Sequence, residues 1–290
     1  MSSKEAEKSL PWVVEELGRN VHQITFTGKS REGSGWILLR SDAHHDNPSS
    51  DNKLEEKHLQ QALDRGAAVI DNGDAFCAMQ GRWDKRSDKS ALKPEHQVDD
   101  YLDALVSTYA DFLEPYASQF AVWGTGNHET GILKHHETNL TTRLVERLRT
   151  KTEAKIYEGS YTGWVFIRME RKCKNSRTHG YGGAAPVTKG TIQTARRAVY
   201  TPDANIVLSG HTHQEFYLPV QRMRVSPKGR VYQDTQWHVQ VPSYKDSFKD
   251  GYSYGEWAIE KGMPPAPTGA AWLRVHWDID ELKFDIETAK

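Results

Sequence analysis

The feature that most constrains this chain is a pattern that recurs along it. A short apolar run ends in a cluster of Asp, Asn, His and Gly, and a helical stretch usually follows. Trp36-Ile37-Leu38-Leu39 ends in Ser41-Asp42-Ala43-His44-His45-Asp46, and Ala67-Ala68-Val69-Ile70 ends in Asp71-Asn72-Gly73-Asp74. Phe120-Ala121-Val122-Trp123 leads to Gly124-Thr125-Gly126-Asn127-His128-Glu129, and Ile206-Val207-Leu208 leads to Ser209-Gly210-His211-Thr212-His213. Alternation of strands with helices implies a mostly parallel sheet covered by helices. In such sheets the working groups collect at the carboxyl ends of the strands, which is where these clusters fall.

The segments between the clusters read as helices. Leu54, His58, Leu59, Ala62 and Leu63 keep a 3.6-residue period, with Gly66 as the stop. Val98, Tyr101, Leu102, Leu105, Tyr109, Phe112 and Leu113 mark a second stripe, with Pro94 expected in its first turn and Pro115 closing it. Leu140, Leu144, Val145 and Leu148 mark a third, capped by Thr138 or Asn139, and a fourth covers Ile192 to Val199. Residues 1–33 read as an N-terminal extension, with Val21 to Thr27 as an edge strand. From Glu215 onward the chain is β-rich, with Phe216 to Val225 and Val231 to Val241 flanking a Pro227-Lys228-Gly229 turn. No composition break marks a linker, so residues 1–290 are expected to form one domain, with 215–290 its β-rich C-terminal part.

Composition narrows the function classes. A net charge of −1 gives the molecule no global field for a polyanion, although nucleic acid remains among the expected partners through local patches. Two cysteines, Cys77 and Cys173, are too few for a secreted disulfide framework. The polar N-terminus carries no signal-peptide pattern, and no apolar run spans a bilayer, so a cytoplasmic protein without a membrane partner is expected.

The polar clusters supply carboxylate and amide oxygens and several imidazoles, and no thiolate among the leading candidates. A mixed O/N set suits Mn²⁺, Fe or Zn²⁺ and argues against a structural zinc knuckle. The candidates outnumber one ion's needs, so two divalent ions sharing a carboxylate are expected, with Mn²⁺ preferred over Fe, Zn²⁺ or Ni²⁺.

Taken in order, Asp42-Ala43-His44, Gly73-Asp74, Gly126-Asn127-His128-Glu129, His179 before Gly180, and Gly210-His211-Thr212-His213 resemble the motifs of the calcineurin-like metallophosphoesterase family. The resemblance covers residues 36 to 214. It implies an α/β fold, a four-layer α/β/β/α sandwich with two mixed β-sheets flanked by helices and a dinuclear metal centre at one end. It also implies that Asp42, His44 and His213 hold one metal, that Asn127, His179 and His211 hold the other, and that Asp74 bridges both. His128 would contact the substrate phosphate and protonate the leaving oxygen. Attack by a metal-bridging hydroxide on a phosphoester follows from that set, with a nucleotide or nucleic-acid-like phosphodiester as the leading substrate. The alternatives are a phosphomonoesterase or protein phosphatase, and a nuclease subunit of a DNA-processing complex.

One departure stands out. Members acting on phosphoproteins often carry a second Asp three residues after the bridging one, followed by Arg and Gly; here Cys77, Ala78 and Met79 occupy those positions. Arg82 and Arg177, together with Lys85 and Arg86, are expected in loops able to grip phosphate. A homo-oligomer built on the β-rich C-terminal third is compatible with the sequence.

Overall fold

The computed structural model describes residues 10–28, 31–80, 87, 92–169, 172–178, 180, 187–248, 265–278 and 281–290. Its central layer is a six-stranded mixed sheet. The four recurrent apolar runs become β3 (Gly33–Arg40), β4 (Ala68–Asp71), β5 (Phe120–Trp123) and β9 (Ile206–Ser209). The first three lie side by side and parallel, continued by β6 (Tyr157–Glu158) on one side. On the other side β12 (Ala271–Trp277) and β13 (Leu282–Thr288) add antiparallel strands, giving the order β13-β12-β3-β4-β5-β6.

A second layer faces this sheet in two hydrogen-bonded pieces. One is β1 (Trp12–Gly18), β2 (Val21–Phe26), β7 (Thr162–Met169) and β8 (Lys172–Thr178), and the other is β10 (Phe216–Val225), β11 (Val231–Gln240) and β9. The two pieces meet where β8 runs beside β9. The segment Val21 to Thr27, expected as an edge strand, is instead the inner strand β2, paired with β1 on one side and parallel to β7 on the other. Its buried His22 and Gln23 break the apolar alternation that would have marked it as core.

The inner strands of the central sheet divide their side chains between two cores, by period-2 alternation in β3 and β4 and, in β5, with a register shift opposite Val69–Ile70 that breaks the alternation. Ile37, Leu39, Ile70, Val122 and Leu273 face the second layer, where Ile24, Phe26, Val165, Ile167, Ile206, Leu208 and Val239 meet them. Leu38, Val69, Phe120, Trp123 and Trp272 face the other way, onto helices α1 (Asn52–Arg65), α2 (Tyr101–Leu113) and α4 (Leu140–Thr152). Asp51 caps α1 by accepting from Leu54 N at 3.1 Å, and Asn139 caps α4 by accepting from Thr142 N at 3.2 Å. Pro94 begins a separate 3-10 turn, Pro94–His96, and α2 starts only at Tyr101. On the outer face of β9, helix α5 (Thr191–Tyr200) packs through Arg197, which hydrogen-bonds Ser209 Oγ. The result is an α/β fold with mixed sheets flanked by helices. No helix of the described residues is long and apolar enough to cross a membrane.

Candidate metal centre

The site lies where β3, β4, β5 and β9 end. Past β3 and β4 the two loops run on side by side: Asp42 N donates to Gly73 O (2.8 Å), His44 N to Asp74 O (3.1 Å) and His45 N to Ala75 O (2.9 Å). This continued ladder holds Asp42, His44 and Asp74 in backbone conformations that side chains rarely adopt. Their φ angles are 55°, 45° and 55°, and His211 and His213 stand at 70° and 54°. Among the described residues ten that are not glycine have positive φ, and half of them are sequence-predicted ligands. A left-handed residue with a Cβ costs about 1–2 kcal/mol. Strain of this kind persists where surrounding structure over-determines it, most often at functional sites.

Glycines let the loops approach closely. A Cβ added to Gly126 would lie 2.1 Å from Asp74 Oδ1, and one added to Gly210 would lie 2.0 Å from Ser41 Oγ and 2.4 Å from Asp42 Oδ2. Any larger residue at either position would displace a candidate ligand.

The side chains converge in two neighbouring groups. In the first, His213 Nε2 lies 3.3 Å from Asp42 Oδ1 and 3.2 Å from His44 Nε2, and His44 Nε2 is 3.9 Å from Asp42 Oδ1. In the second, His211 Nδ1 is 2.6 Å from Asn127 Oδ1. Asp42 joins the groups, since its Oδ2 accepts from His211 N at 2.8 Å. Asp74 sits beside both: its carbonyl accepts from His44 N, and its Oδ1 accepts from His128 N at 2.8 Å. Asp42, His44 and Asp74 are buried. Burial holds His44 well below the ordinary imidazole range, with His128 and His213 pushing the same way, so the ring is neutral and keeps a lone pair for a cation.

The donor set fits a divalent transition metal. Two imidazole nitrogens and a carboxylate oxygen face one another within 3.9 Å, and the ligand atoms of Asp42, His44 and His213 all lie within 4.8 Å of each other. The set of oxygen and imidazole donors suits Mn²⁺, Fe or Zn²⁺.

Several sequence-predicted residues cannot be placed in the site. His179 and Arg82 lie outside the described residues, as do Lys85 and Arg86. Gly180, next to His179, is close to His211, where a Cβ on it would be 3.5 Å from His211 Cβ. Arg177 was expected in a loop and instead belongs to β8, opposite Gly163, because the β-rich pairing of β7 extends further than its composition suggests. Its side chain also lies outside the described residues.

Sequence reasoning missed the supports. Glu129, buried in α3 (Asn127–His136), accepts from Gly126 N (2.9 Å), Asp74 N (3.1 Å) and Phe76 N (3.1 Å), and so ties the β4 loop to the β5 loop. Asp46 accepts from Cys77 N (2.6 Å) and Ala78 N (3.0 Å). The Cys77 thiol is 3.4 Å from His44 Nδ1, and burial pushes its pKa up to about 12, so it stays protonated. Under the site lies a buried ion cluster: Arg40 pairs with Glu55 (2.7 Å) and Asp71 (2.8 Å) and donates to Tyr109 OH (2.6 Å). Burial alone would raise Glu55, but Arg40 and His45 hold it at about 2; Asp71 is pushed up to about 6 by burial despite Arg40 and the Gly73 amide. Nothing in the sequence pattern signalled the Asp46 role or the Arg40 cluster.

No family model and no curated protein matches the sequence. Solved structures give weak likenesses. A predicted phosphoesterase from Streptococcus pneumoniae is 14% identical over 88% of this chain and 90% of its own, with a TM-score of 0.35. Vps29 from Entamoeba histolytica, determined in complex with Zn²⁺, is 12% identical over 87% of this chain and 98% of its own, at 0.37. GAP50, an anchor in the inner membrane complex of Plasmodium, is 9% identical over 89% of this chain and 90% of its own, at 0.39. At such identities and TM-scores a likeness says nothing about chemistry. In the order of its motifs the chain resembles the calcineurin-like metallophosphoesterases.

Proposed function

We propose that this chain is a metal-dependent phosphoesterase that hydrolyses a phosphodiester of the nucleotide or nucleic-acid class. The observation that carries the reading is the convergence of Asp42, His44, Asp74, Asn127, His211 and His213, five of them on left-handed backbone, at the ends of four strands. Asp42, His44 and His213 would hold one divalent ion, Asn127 and His211 a second, with His179 assigned to that second ion by motif resemblance alone. Asp74 would serve both. Such ions, when bound, supply Lewis-acid stabilisation of phosphoryl oxygens and make water acidic enough to attack at neutral pH.

The chain's own groups do the rest. His128 Nδ1 is 2.6 Å from the Cys77 carbonyl, an acceptor only, so Nδ1 carries the proton and donates. That bond leaves Nε2 as the ring atom able to meet the leaving oxygen. Acting as an acid, the ring enters as the imidazolium, protonated at both nitrogens. It passes its Nε2 proton to the departing alcohol, leaving the Nδ1–H imidazole bonded to the Cys77 carbonyl. A positioned acid of this kind contributes about 10²–10⁴-fold. Glu129 keeps Asp74 and Gly126 in register, so the Asp74 carboxylate is held in place. The preference for a phosphodiester over a phosphoprotein is supported by Cys77, which stands where a second Asp is common in phosphoprotein phosphatases.

Hydrolysis of bis-p-nitrophenyl phosphate with Mn²⁺ present tests the reading. The expected result is turnover that Asp74→Asn abolishes. No turnover, or turnover indifferent to that substitution, contradicts it.

A further inference from the structure

We infer that Asp46 is a positioning residue for His128, acting through the Cys77–Ala78 peptide. The chain of contacts is continuous. The Asp46 carboxylate takes two consecutive amides, Cys77 N through Oδ1 (2.6 Å) and Ala78 N through Oδ2 (3.0 Å). Tyr101 OH in α2 donates to Oδ2 as well (3.2 Å), which fixes the carboxylate from the helical side. Ala78 is held at φ 46°, a left-handed conformation that a methyl-bearing residue adopts only under constraint. With both amides pinned, the Cys77 carbonyl is aimed at His128 Nδ1 (2.6 Å). Asn47 adds a weaker hold by donating to Cys77 Sγ at 3.3 Å.

The consequence is a division of labour between two buried carboxylates that bind successive amides of the loop after β4. Glu129 binds the amides of Asp74 and Phe76 and sets the candidate bridging ligand. Asp46 binds the next two amides and sets the proton donor. Asp46 touches neither substrate nor ligand atoms; it fixes the tautomer and tilt of the imidazole that does. Orientation by an outer hydrogen-bonding partner typically accounts for about 10–100-fold in activity.

This inference rests on the phosphoesterase reading for its catalytic consequence, but the contact itself is testable without turnover. Two substitutions are used: Asp46→Asn, which keeps one acceptor oxygen, and Asp46→Ala, which keeps none. In the metal-free protein, imidazole ¹⁵N spectra, assigned with His128→Gln, are expected to show His128 protonated at Nδ1 in the unaltered chain. Asp46→Ala should convert it to a mixture of tautomers, with Asp46→Asn between the two. For activity, diesters with a p-nitrophenolate and an unsubstituted phenolate leaving group are compared. The second needs a proton far more, so kcat for the phenyl ester should fall at least about tenfold further than for the nitrophenyl ester in Asp46→Ala, with KM little changed. An unchanged His128 spectrum in Asp46→Ala overturns the inference, and so does an equal fall for both leaving groups. Absence of turnover in the unaltered chain would count against the phosphoesterase reading instead, and the spectra would still decide the contact.

Discussion

Two polar clusters, one fully buried and one half-buried, lie one above the other at the same end of the central sheet, and they are built on opposite principles. The lower one, Arg40 with Glu55, Asp71 and Tyr109, sits on regular strand and helix backbone and contains its own cation. The upper one comprises Asp42, His44, Asp74, His211 and His213 on left-handed loop backbone, with Asn127 at the start of α3. None of its six side chains carries a fixed positive charge, and imidazole nitrogen faces imidazole nitrogen at 3.2 Å. Buried charges persist when they are paired or bind metal. The lower cluster is complete as folded and serves as a floor; the upper one has the donor set of a cation site. Polarity does not separate the two clusters, whereas charge balance and backbone strain do.

Breaking the floor should have the largest effect. Arg40→Met keeps the volume but leaves Glu55 and Asp71 buried with their cation gone, and is expected to cost about 3–5 kcal/mol in urea unfolding of the metal-free protein. A cost below about 1 kcal/mol would mean the floor is not closed by Arg40. A perturbation confined to the upper cluster should act on activity instead. Gly126→Ala drives a methyl group into the Asp74 carboxylate, and a displacement near 1 Å of a reacting group costs about a hundredfold in rate. Hydrolysis of bis-p-nitrophenyl phosphate reads this, and retained activity would show that Asp74 is not held as tightly as its neighbours imply.

The smallest effect sharpens the strain argument by its sign. Ala78→Gly should raise stability by up to about 1 kcal/mol, because the left-handed backbone at φ 46° is unfavourable for alanine. The same change in the middle of helix α2, Ala110→Gly, should lower it by roughly 0.5–1 kcal/mol. Paired thermal melts check this. Two changes of the same sign would remove backbone strain as the mark that separates the site from the scaffold.

Much of this arrangement was legible in the sequence, and the illegible parts have physical reasons. Apolar runs such as Ile37 to Leu39 and Ile206 to Leu208 announced the parallel strands, because buried strands need apolar side chains on both faces. Asp42, His44, Asp74, Asn127, His211 and His213 were legible as polar clusters closing apolar runs, and the structure brings them together. The inner strand β2 was missed because His22 and Gln23 are buried polar residues on it. Asp46 and Glu129 were hidden for another reason: their partners are backbone amides, and any residue type supplies an amide. The Arg40 cluster was hidden because it joins residues as far apart as Arg40 and Tyr109, a distance in sequence that local pattern does not report.

The most direct test of the claim that these strand ends cage divalent ions is equilibrium dialysis against Mn²⁺ with elemental analysis of the retained metal. The expected result is about two ions per chain in the unaltered protein, a clear loss in Asp74→Asn, and full retention in Asp99→Asn on the protein's exposed surface. Retention that Asp74→Asn leaves unchanged, or none at saturating Mn²⁺, would contradict the claim.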